Sequence, residues 1–318
     1  MRSAFCNPEP RQLPSKRQKH YHGNMMNIGF LFALGALLGW AFGDFYLHRT
    51  AKHIGIWKAM LYVSGLGSFV LLPFVITDIG TLVSNPNLLL ILSLTAVIVF
   101  VALLLSFEAL KDGKMAVVEP IIGAELPMTV GLSLFFLHDK LSIVQLALIL
   151  AICIGLILTV MTHLPWKWDR RKLFERGVIT AAASAIGMAL VNFFIGVSSQ
   201  ETKPLLTIWF INTVVAMFAL AYLLLTGERR HLFVHAHRYR KEILLESFHD
   251  NFAWVCFAYA VTLLPISLVT AVSEGYIALA ALLGIIIDRE RLRPHQYAGL
   301  AFTAASIIAL SWLSPGSA

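Results

Sequence analysis

The sequence predicts an all-α integral membrane protein with ten transmembrane helices arranged as two inverted five-helix repeats. Three observations predict it. Of the 318 residues, 58% are hydrophobic and 14% charged, against about 45 to 50% and about 25% in soluble domains. Ten apolar runs approach the length of about 20 residues that spans about 30 Å of hydrocarbon. Residues of the first half also recur in the second at a nearly constant offset.

In chain order, a polar tail (1–26) precedes the first run, 27–47, which holds Asp44 near its end. Runs 55–77 and 88–110 follow, the latter uncharged until Glu108. The fourth run, 115–137, contains Glu119-Pro-Ile-Ile-Gly-Ala-Glu125-Leu-Pro127, two acids and two prolines inside apolar sequence. Run 143–163 closes the first repeat (27–163), and 164–176 is a basic connecting loop. The second repeat (177–313) consists of runs 177–199, 204–226, 247–264 with Asp250, 268–287 with Glu274, and 295–313; residues 314–318 are a short tail. Almost nothing remains for a soluble domain, so the working parts are expected within the bilayer.

Charge placement sets the expected orientation. All 25 Lys and Arg lie outside the runs or at their rims, whereas Asp44, Glu108, Glu119, Glu125, Asp250 and Glu274 lie inside. The loops after the odd-numbered runs carry 18 basic residues and the opposite side 7, five of them in the N-terminal tail. Positive loops stay in the cytosol, which places both termini outside the cell membrane. A start at Met25 or Met26 would make the count 18 to 2. The tail is too polar for a signal peptide, and no small-residue cleavage site ends the first run.

The repeat is visible residue by residue. GFLFALGALLGWAFGDF (29–45) and GVITAAASAIGMALVNF (177–193) share Gly29/Gly177, Ala33/Ala181, Gly39/Gly187, Ala41/Ala189 and Phe45/Phe193 at an offset of 148, with Asp44 opposite Asn192. At an offset of 151, Leu141/Leu292 and Gln145/Gln296 align. Five spans is an odd number, so the second half enters the membrane upside down. Inverted repeats of this kind mark alternating-access transporters, whose sites lie near the midplane between the repeats.

Each half closes on an acidic-basic turn, a Leu and a final helix, LHDKLSIVQLALILAICIGLIL and IDRERLRPHQYAGLAFTAASIIAL. With FEALKDGKMAVVEPIIGAELPMTVGLSLFFLHDKLS as third and fourth spans, the chain resembles the EamA-type branch of the drug/metabolite transporter superfamily over about residues 27 to 313. The resemblance implies a ten-span fold, transport of a small solute, a cavity lined by spans 1, 3, 4, 6, 8 and 9, and peripheral spans 5 and 10. It leaves the substrate open, since the family carries amino acids, cationic drugs, sugars and other metabolites. Two features depart from the pattern: Ala278 stands where Pro127 has its counterpart, and the charge count puts the termini outside, where family members are commonly drawn with cytosolic termini.

The intramembrane polar residues are the candidate substrate and proton site. A carboxyl at the bilayer centre costs about 2.5 to 3.5 kcal/mol on insertion scales and therefore faces the bundle interior. Burial disfavours its charged form, so such a group can exchange a proton for a cation. Glu125 falls near mid-membrane and Glu119 nearer the basic-loop end, about 120° apart on an ideal helix. Pro120 and Pro127 are expected to kink that helix, and Gly123 to allow close contact. Glu274, beside Gly275 and Tyr276, would complete the site from the other half. Asp44 and Asn192 occupy matched positions. Trp40, one turn before Asp44, could stack on an aromatic or cationic solute, a packing role being the alternative. Glu108 and Asp250 are expected to pair with loop bases such as Lys111 or Arg240.

Other chemistry has no visible carrier. Cys6, Cys153 and Cys256 have no paired spacing and read as small hydrophobes. His231, His235 and His237 have metal-like spacing but no acid or cysteine among them, and fit a basic loop on anionic lipid better. No metalloprotease, nucleophile-elbow, P-loop or dinucleotide motif occurs, so the expectation is a non-enzyme without cofactor or metal. The expected partners are a small-molecule solute and the lipid bilayer, not nucleic acid, with a homodimer as a further option. The reading is a secondary transporter, with proton coupling as one option and an uncoupled facilitator as another. The alternative from another class is a lipid-carrier flippase subunit or a non-transporting assembly partner.

Overall fold

The computed structural model describes residues 16–112, 121–161, 176–228, 232–287 and 292–313, and all regular structure among them is helical. The helices are α1 Lys16–Ile54, α2 Ile56–Val75, α3 Ile79–Ser84, α4 Pro86–Asp112, α5 Glu125–Leu132, α6 Ile143–Val160, α7 Arg176–Glu201, α8 Pro204–Leu225, α9 Leu232–Arg238, α10 Arg240–Leu263, α11 Ile266–Ser273, α12 Tyr276–Ile287 and α13 Pro294–Leu313. Glu119, Pro120, His231, residues 1–15 and the connecting loop up to Glu175 lie outside the described residues.

Local chemistry sets the ends of these helices. Proline opens α4, α8 and α13, a position whose N–H has no intrahelical partner to lose. Gly55, with φ of 81°, turns the chain from α1 into α2, a conformation that penalises any side chain. Ser142 and Gln145 cap α6 reciprocally: the Gln145 N–H donates to Ser142 Oγ at 3.2 Å and the Ser142 N–H to Gln145 Oε1 at 2.8 Å. Gln296 repeats half of this at α13, its Oε1 accepting from the Arg293 N–H at 2.9 Å. The aligned glutamines therefore do the same job at the starts of the fifth and tenth runs.

Among the described residues, eight segments are long and apolar enough to cross a membrane, and they coincide with eight of the ten runs. The other two differ for visible reasons. Of the fourth run, residues 121–137 are described, and they hold the shorter apolar helix Glu125–Leu137; residues 113–120 lie outside the described set. The eighth run belongs to α10, whose first turns carry Arg240, Lys241, Glu242, Glu246 and Asp250, so only its later turns are apolar.

The most extensive packing is between halves, not within them: α1 lies on α10, α4 on α7, α6 on α13 and α2 on α8. Exchanging the halves turns the α1–α10 pair into α7–α4 and returns the other two pairs to themselves. Small residues allow the approach. A methyl at Gly39 would lie 2.7 Å from Ala253 Cβ, and one at Gly187 3.0 Å from Ala102 Cβ; Ala102 and Ala253 are themselves 151 residues apart. Polar pairs stitch the same interfaces. Thr95 meets Ser198 at 3.0 Å and Ser106 meets Ser184 at 2.7 Å between α4 and α7, while Ser68 of α2 meets Thr213 of α8 at 2.6 Å.

One face is tied across the halves. Lys203, ahead of α8, pairs with Asp78 at 2.6 Å. Asp139 Oδ2 accepts from the Ser267 hydroxyl at 2.7 Å and its N–H at 3.3 Å, in the first turn of α11. These residues lie in or beside the loops after even-numbered runs, opposite the basic loops.

Candidate functional site

Both the fourth and the ninth runs are broken helices, interrupted at the same register. Gly123 and Ala124 form the turn before α5; 151 positions later, Glu274 and Gly275 form the turn between α11 and α12. In the first half the Ala124 N–H bonds back to the Ile121 carbonyl at 3.1 Å, and Met128 N–H to Ala124 at 3.3 Å restarts the helix. Pro127, the third residue of α5, has no N–H to continue a bond to the Gly123 carbonyl, so an unbroken helix would lack one there. In the second half Ala278 stands at the position that matches Pro127. Gly275 is instead wedged between α13 and α1: a methyl on it would strike Ile307 and lie 2.9 Å from Leu37 Cδ1.

Each break delivers an acid to the same place. Glu125 opens α5, Glu274 sits in the turn ahead of α12, and their side chains face each other in one cavity. Asn192 of α7 donates from Nδ2 to Glu274 Oε1 at 3.3 Å. Both glutamates are 3% exposed and Asn192 2%, so the trio is almost fully buried. Thr129, one turn into α5, donates to its own Glu125 carbonyl at 2.9 Å and reaches the Ala189 carbonyl at 3.4 Å, which holds α5 on α7.

The trio lines a cavity of about 180 Å³ together with Trp40, Asp44, Asp250, Trp254 and Tyr276. Its walls come from α1, α4, α5 and the residues just before it, α7, α10, and the α11–α12 turn, the six segments that the resemblance assigns. Of the predicted site residues, Glu125, Glu274, Asn192, Asp44 and Trp40 all meet here. Pro127 does not line the cavity, and Glu119 and Pro120 lie outside the described residues. Four carboxyl groups and no Lys or Arg stand among the described lining residues. Trp40 packs edge-on against Trp254 with ring centroids 4.7 Å apart and against Tyr276 at 5.9 Å, so its ring is both core and wall.

Asp250 corrects an expectation. Anticipated as a partner of loop bases, it faces the cavity beside Trp254, one turn away. The reason is the antiparallel run of α1 and α10, in which Gly35, Gly39 and Gly43 meet Cys256, Ala253 and Asp250 in turn. Trp40 and Asp44 therefore lie alongside Trp254 and Asp250. A signal existed: Trp40-Ala-Phe-Gly-Asp44 and Asp250-Asn-Phe-Ala-Trp254 carry the same spacing in opposite order. A second cavity, of about 100 Å³, shares Leu103, Met188, Asp250 and Trp254 with the first and continues to Ser64, Asn212 and Glu246.

Comparison with known proteins comes from two directions. The family model described as the EamA-like transporter family matches residues 27–161 and again 175–312. A solved structure described only as a crystal structure of a protein superposes with a TM-score of 0.69, covering 90% of this chain and 96% of its own at 13% identity, a likeness that speaks for the fold alone. A search of curated proteins finds no match.

Proposed function

The chain belongs to the EamA-like transporter family, membrane transporters of small solutes, and from that premise we propose that it is a secondary transporter that exchanges a small organic cation for protons by alternating access. The observation that carries this reading is the meeting of two broken helices, one from each half, with the Glu125–Glu274 pair at the junction. Discontinuous helices at a repeat interface are a recurring way to build a transport site. The acidic, aromatic wall favours a cation: carboxyls supply charge, and Trp40, Trp254 and Tyr276 supply ring faces and edges. Glu125, Glu274 and Asn192 bind solute or proton in turn, and Asp44 and Trp40 guide the solute in.

We read the architecture as ten transmembrane helices in two inverted repeats, 27–163 and 177–313. The exchange symmetry of the helix contacts and the common register of the two breaks support it. The ties Lys203–Asp78 and Asp139–Ser267 close one face, while Asp44, Leu47, Phe107 and Asp250 set the cavity toward the basic loops. With those loops in the cytosol, this is the inward-facing arrangement of a cell-membrane protein with external termini. A reporter fused after Ala318 should read as external; a cytosolic signal would reverse the assignment.

The transport test uses purified protein in proteoliposomes. Amine and quaternary ammonium solutes are expected to accumulate against their gradient when a pH gradient is imposed, and organic anions are not. Flux indifferent to pH would leave an uncoupled facilitator. Absence of flux across a broad solute panel would favour a flippase subunit or an assembly partner.

A further inference from the structure

The helix α10 carries Glu242, Glu246, Asp250 and Trp254 at intervals of four, and therefore on one face. The ladder runs from the end beside the basic loops to the central cavity. At the outer end Glu242 Oε2 pairs with His53 Nδ1 of α1 at 3.0 Å, both side chains partly exposed. At the inner end Asp250 lines both cavities. Between them Glu246 is 1% exposed, lines the smaller cavity, and has no hydrogen-bond partner for either carboxyl oxygen among the described residues. Thr50 of α1 stands across from it in a geometry that falls short of a hydrogen bond. A buried carboxylate left without partners is costly, and one proton removes the charge.

We propose that Glu246 is a second proton-binding site, separate from the Glu125–Glu274 pair, through which protons pass between the basic-loop face and the central cavity. The groups around it fit a proton better than a fixed counter-ion. From α1 come Thr50 and, through Glu242, His53; from α2 Ser64; from α8 Asn212; from α4 and α7 the apolar Val99, Leu103, Met188, Val191 and Ile195. Tyr239, just before α10, stacks on His53 at 4.8 Å, and His235 of α9 meets Tyr239 edge-on at 6.3 Å. On α10 itself the neighbours are the acids Glu242 and Asp250. The cavity, about 100 Å³, has room for water, which can bridge the single helical turn to Asp250. A proton from water at the mouth bonds to a Glu246 oxygen; on release it passes to the Asp250 carboxylate, and Glu246 returns to its anionic form.

The direction of that passage rests on the proposed proton exchange at Glu125–Glu274, but proton uptake at Glu246 does not, so the test uses protons alone, with no solute. Infrared difference spectra of the reconstituted full chain are recorded as pH is stepped, following the C=O stretch of protonated carboxyls. Glu246→Gln is expected to remove one carboxyl's share of the signal, and the double variant Glu125→Gln/Glu274→Gln to leave that share in place. A Glu246→Gln spectrum identical to the parent would overturn the proposal, as would a signal displaced by sodium at fixed pH. Should Glu246→Gln fail to fold, Glu246→Asp carries the test: a shifted component supports the site, and an unchanged one overturns it. Loss of pH-driven solute flux while the Glu246 component persists would count against the transport reading alone.

Discussion

Around the break in the first half, α5 is partly open to its surroundings: Pro127 and Met128 are exposed, and a methyl on Gly131 would meet nothing within 4 Å. The helix then loosens into a π-turn at Ser133–Leu137 and stops at His138, in the left-handed region with φ of 54°. Around the break in the second half, every residue from Ile266 to Ser273 is buried, and Gly275 has neighbours pressed against it on two sides. The interruption is the same; its setting is a proline on a partly open helix in one half and a tightly packed glycine in the other. What the two halves share is the outcome, a carboxyl delivered to the interface. Backbone chemistry is free to differ so long as Glu125 and Glu274 meet.

The difference can be broken or sharpened by substitution, beginning with packing. Gly275→Leu should abolish folded protein or destabilise it by about 3 kcal/mol or more, since overpacking at this site has Ile307 and the Val272 carbonyl in its way. Gly131→Leu should change stability by less than about 0.5 kcal/mol. Thermal unfolding of the two variants in one detergent compares them directly, and equal losses would mean that both breaks depend on close contact. Next in size, Gly39→Leu and Gly187→Leu should each cost about 1 to 3 kcal/mol. Gly39 should be the worse of the two, because the His249 carbonyl also lies 2.9 Å from its added methyl.

For the carboxyl pair the readout is flux against pH. Glu125→Gln should fold, because the amide matches the neutral acid in shape, and lose the pH dependence of transport, with coupled flux falling about tenfold, equivalent to about 1.4 kcal/mol. Glu125→Asp should keep coupling with a displaced optimum. A Gln variant with an unaltered pH profile would remove Glu125 from the coupling role. The smallest effect is expected at the proline. Pro127→Ala should alter stability by less than about 1 kcal/mol and leave flux near the parent value, because Thr129 still holds α5 on α7. A large loss of flux would show that the missing N–H, rather than the neighbours, shapes the first half.

Much of this site is legible in the sequence because hydrocarbon makes polar residues conspicuous. Glu125, Glu274, Asn192, Asp44 and Trp40 stand out against apolar runs, and they do line one cavity. Asp250 is not legible in this way, because linear nearness to Arg240 says nothing about which face of α10 it occupies. Glu246 escaped notice for a related reason: it precedes the apolar run, while the helix itself begins at Arg240. The break at Gly275 has no signature either, since glycine within a span signals close packing as readily as an interruption. The matched glutamines were visible as a repeat, but their capping role needed coordinates.

The pairing of α1 with α10 also has a consequence for how the protein is made. Gly39 rests on Ala253, which follows it by more than 200 residues. At about 5 to 20 residues per second the ribosome needs roughly 10 to 40 s to supply that partner. Through that interval the glycine stripe at Gly29, Gly35, Gly39 and Gly43 has no α10 to close on, and contacts so distant in sequence form slowly even once both partners exist. Synthesis order and packing order run in opposite directions at this interface: α1 is made more than 200 residues before the helix it packs on.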